Sequence, residues 1–168
     1  SDASGNVTTL NYDERGLQTS VESADTGRRS SAWNAFGELV SQTDALSPAN
    51  TISFSYDQLG RLVQRNDPDQ GPTIWTFNTA SGPLLGLAQR VTAPLGNTAA
   101  GFVEQYGYDA LGRRTSVATT IDGTTYVTGY GWDALGRVAT MNYPQTVDGA
   151  QVSLAYRYDN TGNLDVVE

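Results

Sequence analysis

The feature that most constrains this chain is a short motif repeated along it: an aromatic residue, then Asp or Asn, then two residues, then Gly. It stands at Tyr12-Asp13 with Gly16, Trp33-Asn34 with Gly37, Tyr56-Asp57 with Gly60, and Tyr108-Asp109 with Gly112. It returns at Trp132-Asp133 with Gly136 and at Tyr158-Asp159 with Gly162. Phe77-Asn78 followed by Gly82 is a copy with one extra residue, and Asp2 to Gly5 is a copy without its aromatic. From Tyr12 onward the aromatics stand 21 to 31 residues apart, so the spacing between copies is elastic while the interior of the motif is not. A period of this size is the signature of a repeat array.

Each copy has a direct physical reading. Asp or Asn at the first position of a type I turn accepts the backbone N–H two residues on. Gly follows where a positive φ is wanted, which gives a type I turn with a bulge that closes a short hairpin. The residues before the turn alternate as a strand does, so Phe54 and Tyr56, Trp75 and Phe77, Tyr106 and Tyr108, Tyr130 and Trp132, and Tyr156 and Tyr158 share a face. After it, runs such as Glu38-Leu39-Val40, Arg61-Leu62-Val63 and Arg137-Val138-Ala139 resume an extended chain. A second, looser turn follows at Asp25-Thr26-Gly27, Asp44 to Asn50, Asp67 to Gly71, Asp122-Gly123 and Asp148-Gly149. Nothing sustains a 3.6-residue period over the length of a helix. The expected fold is all-β, an array of antiparallel hairpins forming a curled sheet. Residues 1–168 are expected to be a single repeat segment of about eight copies, in which 80–101 is a degenerate repeat with a longer loop.

Composition narrows the chemistry. The 168 residues carry ten cations, all Arg, eighteen acids and a net charge of −8, with no His, no Cys and no Lys. Thiol nucleophiles, Ser-His-Asp triads, the usual zinc ligand sets and Schiff bases are thereby removed. The acidic balance argues against nucleic acid, whose phosphates need clustered cations. No apolar run approaches the ~20 residues that span a bilayer as a helix. The chain opens on Ser-Asp-Ala rather than on an initiator Met or a signal peptide, and is expected to be a piece of something longer.

The best copies, Tyr56-Asp57-Gln58-Leu59-Gly60-Arg61-Leu62, Tyr108-Asp109-Ala110-Leu111-Gly112-Arg113 and Trp132-Asp133-Ala134-Leu135-Gly136-Arg137-Val138, resemble the YD repeat of the RHS proteins. That family includes bacterial polymorphic toxins, shell subunits of insecticidal toxin complexes, wall-associated proteins and teneurins. The resemblance implies hairpin strips that spiral into a hollow shell, and in the bacterial toxins a shell enclosing a toxic domain. It also implies secretion or display at a bacterial surface. The chain lacks a D-P-x-G-W-x-D-P-x-G segment of the self-cleaving members, of which Asp67-Pro68-Asp69 is only a fragment, so self-cleavage and toxicity are not carried over. Sixteen strands at ~4.8 Å each make a strip roughly 75 Å wide. Closed on itself, it would leave too little room for a domain more than about 30 Å across. An arc of a larger shell, or a small array with a filled interior, is expected.

The expected partners are the remainder of a parent shell and its passenger, and further copies joined through edge strands. No cofactor and no metal are expected. The motif residues are read as turn and strand formers, with Arg61, Arg113 and Arg137 placed to meet a neighbouring Asp or an aromatic face. The alternative function is adhesion, with Trp33, Trp75 and Trp132 stacking on glycans or on a protein receptor. Catalysis has weaker support. Asp25-Thr26-Gly27 spells the aspartic-protease triplet, but that chemistry needs two such carboxylates sharing a proton. A glycosidase needs two facing acids, and Glu14, Glu22, Glu38, Glu104 and Glu168 are scattered. Asp67, Asp69 and Gly71 hint at a calcium loop without the closing Glu.

Overall fold

A computed structural model describes residues 5–46, 50–95 and 98–168. The described residues are all-β: strands are joined by turns, and every paired neighbour is antiparallel. Two compact units divide the chain, residues 1–74 and 75–168.

The first unit holds β1 (Thr9–Tyr12), β2 (Gln18–Ser23), β3 (Gly27–Trp33), β4 (Leu39–Thr43), β5 (Thr51–Tyr56) and β6 (Leu62–Asp67). The division falls inside β7 (Gly71–Phe77), whose first half pairs with β6 from Asp67↔Gly71 to Gln64↔Ile74. The second unit continues with β8 (Ala88–Leu95), β9 (Thr98–Tyr108), β10 (Arg114–Ile121), β11 (Thr124–Trp132), β12 (Val138–Asn142), β13 (Ser153–Tyr158) and β14 (Leu164–Val167). Strand order within each unit is chain order, as expected of consecutive hairpins.

The motif turns cap one set of hairpins, and the looser turns join each hairpin to the next. At Asp122-Gly123 both residues have positive φ, 47° and 83°, which is the two-residue turn that matches strand twist. The Asp2–Gly5 copy begins outside the described residues, as does the middle of the 44–50 turn. The degenerate copy forms an extended tip over 78–87, closed by Asn78 N–H on the Leu87 carbonyl at 2.8 Å, before β8 begins.

The two faces of the sheet differ in chemistry, because side chains directly opposite each other across strands share a face. In the first unit one face carries Leu10, Tyr12, Val21, Phe54 and Tyr56. The other carries a column of small polar residues: Asn11↔Ser20, Ser20↔Ser30, Ser30↔Thr43 and Thr43↔Thr51. Bonds run along that column, from Asn11 Nδ2 to Ser20 Oγ at 2.9 Å and between the Thr43 and Thr51 hydroxyls at 2.8 Å. In the second unit the corresponding column is Gly107, Ser116, Gly129, Asn142 and Ser153. A Cβ at Gly107 would fall 2.3 Å from Ser116 Oγ, so the serine hydroxyl would have to turn aside for any larger residue.

No apolar side chain among the described residues is buried, and the buried polar one is Ser20 at 2 % exposure. The filled interior offered above as one option is therefore not present among them. Local order rests on strand ladders, on cross-strand pairs worth ~0.2–1 kcal/mol each, and on the turn chemistry described next.

Candidate functional site

The recurring site is the motif turn. In the six regular copies the first side-chain oxygen of Asp or Asn accepts two backbone N–H groups, from the residues two and four positions on. At Asp109 these are Leu111 and Arg113, both at 2.9 Å. The same pair of bonds, at 2.9–3.0 Å, forms at Asp13, Asn34, Asp57, Asp133 and Asp159. The backbone closes the turn as well: Gly112 N–H bonds the Asp109 carbonyl at 3.0 Å and Asp109 N–H bonds the Arg113 carbonyl at 2.9 Å. Gly112 has φ of +78°, in the left-handed region that only Gly enters without strain.

A second bulge follows each turn. Tyr56 pairs with Leu62 but Ser55 with Gln64, so Val63 is the extra residue. Thr19, Val40, Thr115, Ala139 and Asp165 occupy the same place in the other regular hairpins. A bulge bends its strand and sharpens the local twist.

The second carboxylate oxygen takes the arginine after Gly. Nε of Arg61, Arg113 and Arg137 lies 2.7 Å from Oδ2 of Asp57, Asp109 and Asp133. Where Asn34 replaces Asp, the residue after Gly is Glu38, and the bond reverses: Asn34 Nδ2 donates to Glu38 Oε2 at 2.6 Å. At Asp159 the place is taken by Asn163, whose amide donates at 3.4 Å.

These contacts hold the carboxyls ionised. The Arg61 guanidinium, ahead of the turn N–H bonds, holds the Asp57 carboxyl below its ordinary value against partial desolvation. Partial desolvation pulls Asp109 upward, and the Arg113 backbone and side-chain bonds together outweigh it. The Thr161 hydroxyl and the Asn163 N–H bring Asp159 down to about 2.

Five of the motif aromatics, Trp33, Tyr56, Tyr108, Trp132 and Tyr158, reach back to the copy before. Trp33 Nε1–H donates to the Gln18 carbonyl at 2.9 Å, and the Tyr56 hydroxyl to the Leu39 carbonyl at 2.9 Å. In the second unit Tyr108 donates to the Ala88 carbonyl at 2.7 Å, Trp132 to Arg114 at 2.9 Å and Tyr158 to Val138 at 2.8 Å. Every acceptor is the first residue of the strand after a motif turn. Gln18, Leu39, Arg114 and Val138 are moreover paired across their own hairpins with Tyr12, Trp33, Tyr108 and Trp132. One backbone residue thus links two successive aromatics. Phe77 has no hydroxyl or indole N–H to donate.

The arginines extend the same linkage forward. The Arg113 guanidinium lies 5.5 Å from the Trp132 ring centroid and that of Arg137 lies 4.1 Å from the Tyr158 ring. Arg15, paired with Asp13, bonds the Asn34 carbonyl at 2.7 Å. Each of these cations ties its own turn to the next.

Sequence reasoning missed the backward bond and also the apolar turn tips. Phe36, Leu59, Leu111 and Leu135, each directly before the motif Gly, are 88 %, 75 %, 69 % and 76 % exposed. The apolar residue recurring at that place was the available signal. Between the Trp33 and Tyr56 hairpins a groove of about 650 Å³ opens, lined by Phe36, Glu38, Val40, Phe54 and Tyr56. Partial burial, then the Glu38 charge, raises the Tyr56 phenol above its ordinary value.

Of the three tryptophans singled out for glycan contact, all are half-buried. Trp33 and Trp132 commit their indole N–H groups to backbone carbonyls, and Arg113 covers Trp132. Asp25 lies in the turn between β2 and β3. Asp67 ends β6, where it accepts Arg65 Nη2 at 2.7 Å. No cluster of three acids suited to a metal ion occurs among the described residues.

Comparison with known proteins agrees with this geometry. Residues 33–72 match the family described as RHS Repeat. Two crystal structures share the fold at a TM-score of 0.75 and 16 % identity: TcdB2-TccC3 with Cdc42, matched over 96 % of this chain, and TcdB2-TccC3, matched over 95 %. The chain spans 9 % of the length of either. No curated protein is significantly similar in sequence. The matched segment, residues 33–72, thus carries an RHS repeat, and the recurring Y-D-x-x-G turns and hairpin fold of the rest of the chain are similar to it.

Proposed function

We propose that the chain is a wall segment of an RHS-type shell that encloses or presents a passenger domain outside the cell. The observation that carries this reading is the absence of any buried apolar side chain among the described residues, in a sheet whose successive hairpins are tied by backward aromatic bonds. A domain normally buries one face of a sheet against a second layer. A wall meets that need by curling and by joining further wall, and the bulge after every motif turn supplies local bending. The motif carboxylates are engaged by turn N–H groups and arginine, which leaves them a structural role rather than a catalytic one. The fold shared with the TcdB2-TccC3 structures supports the reading.

The test is limited proteolysis of the full parent polypeptide. A passenger resistant to protease until the wall is unfolded is the expected result. A passenger digested as fast as its isolated form, or a parent frame without one, would sink the proposal. Glycan-array binding that vanishes in Trp33→Ala or Trp132→Ala would replace it with adhesion.

A further inference from the structure

We propose that the groove between the Trp33 and Tyr56 hairpins is a docking site for an arginine side chain of a partner polypeptide, its guanidinium stacked on Tyr56 and paired with Glu38. The inference rests on a difference between copies of the repeat and not on the shell reading.

In two later copies the residue after the motif Gly is an arginine that lies over the next motif aromatic. Arg113 is 5.5 Å from the Trp132 centroid and Arg137 is 4.1 Å from the Tyr158 centroid. Each also holds its own turn carboxylate, Asp109 or Asp133, at 2.7 Å. The array thus builds from its own residues a place where a guanidinium sits between a carboxylate and an aromatic face.

The Trp33 copy has the ring and the carboxylate without the cation. Glu38 stands where Arg113 and Arg137 stand in their copies, and the next motif aromatic is Tyr56. Oε2 of Glu38 accepts the Asn34 amide at 2.6 Å, a neutral donor that leaves the charge uncompensated. Oε1 faces the Tyr56 turn, 3.0 Å from where a Cβ on Gly60 would stand. Partial burial, then the Glu38 charge, raises the Tyr56 phenol, so carboxylate and ring are within electrostatic reach. Arg15 and Arg61, on the turns to either side, pair with Asp13 and Asp57 instead. Among the described residues no ion pair engages Glu38 and no guanidinium lies over the Tyr56 ring.

The groove has the size and lining for such a guest. It measures about 650 Å³, with Phe36, Val40 and Phe54 beside Glu38 and Tyr56, and Phe36 is 88 % exposed. A guanidinium is planar and weakly hydrated, and it stacks on a ring while its edge meets a carboxylate; an ammonium is a hydrated point charge. The arginine stem covers apolar surface as well, and an apolar neighbour on the same polypeptide would cover Phe36. The chain's net charge of −8 draws a cationic segment toward it.

Nuclear magnetic resonance titration of the whole chain with the blocked tripeptide Leu-Arg-Leu reads the site directly. Amide shifts confined to the surroundings of Glu38, Tyr56 and Gly60 are expected, with Gly112 and Gly136, whose copies already hold their arginine, unmoved. Glu38→Gln should weaken binding roughly fivefold, the upper value for a partly exposed ion pair. The tripeptide with citrulline in place of arginine, similar in shape and uncharged, should bind more weakly by a similar factor. Glu38→Arg, which supplies the missing cation from within, should abolish the shifts while thermal unfolding shows the fold retained. Equal binding of the arginine and citrulline peptides, shifts spread evenly over the acidic turns, or an unchanged Glu38→Gln would overturn the proposal. So would blocked arginine alone binding as tightly as the tripeptide, since a polypeptide would then not be the occupant. A passenger digested as fast as its isolated form would remove the shell reading and leave this one standing.

Discussion

The hydroxyl of Tyr56 bonds the carbonyl of Leu39 at 2.9 Å, and Leu39 is itself the residue that faces Trp33 across the preceding hairpin. Register between those hairpins is therefore set at the motif ends of the strands. The turn that connects them runs from Asp44 to Asn50, whereas the corresponding turn before Trp132 is two residues long. Connections so different in length cannot impose one register. A bond from a rigid ring to a fixed carbonyl can.

Removing that bond alone should be measurable. Tyr56→Phe and Tyr108→Phe should each lower unfolding free energy by about 1 kcal/mol, the typical net worth of one such hydrogen bond. Chemical denaturation of the single variants checks this, and the ring contacts remain as an internal control. A shift no larger than that of an exposed substitution such as Tyr126→Phe would show that the register is held elsewhere.

Gly112 and Gly136 separate two effects of glycine. Both have φ of +78°, yet a Cβ at Gly112 would fall 2.8 Å from the Pro83 carbonyl while one at Gly136 meets nothing within 4 Å. Gly136→Ala should cost about 1–2 kcal/mol from the left-handed backbone alone. Gly112→Ala should cost clearly more, because a backbone oxygen must move. Parallel urea titrations of the two variants decide the point.

Asp109→Asn should retain the turn, as Asn34 does in its own copy, while Asp109→Ala should open it. The readout is amide hydrogen exchange at Leu111 and Arg113, whose N–H groups both end on Asp109 Oδ1. Protection should persist in Asn and fall in Ala. Equal protection in both would mean that backbone closure suffices.

Acid should weaken the fold through the same carboxyls. Asp13, Asp57, Asp109, Asp133 and Asp148 are held below 3.8, and Asp159 is lowered to about 2. A carboxyl depressed in the folded state binds fewer protons there than in the unfolded chain. Its stabilisation is complete above the unfolded value and fades as pH falls through the folded one. Stability should accordingly drop between pH 3.8 and about 2, and Asp159→Asn should reduce that slope. Denaturation midpoints across this interval supply the measurement.

Much of the architecture was legible in residue order. Asp and Gly three apart specify a turn by local hydrogen bonding and local φ, with no need of distant contacts, and the alternating aromatics before them specify a strand and its face. Hence the all-β array, the hairpin positions and the six regular motif turns follow from the sequence directly. The Asp–Arg pairing within a turn was legible too, since both residues lie on the same short loop.

What residue order did not contain was the relation between copies. The backward bond from Tyr108 to Ala88 joins residues 20 apart, and a carbonyl acceptor leaves no mark on residue type, because every residue has one. The column of Ser, Thr, Asn and Gly opposite the aromatics is visible only once register is known. The exposed leucines at the turn tips look in sequence like any apolar strand residue. Local chemistry determined each hairpin. Only tertiary structure decided which backbone atom each ring would hold, because that choice depends on the register between strands joined by turns of unequal length.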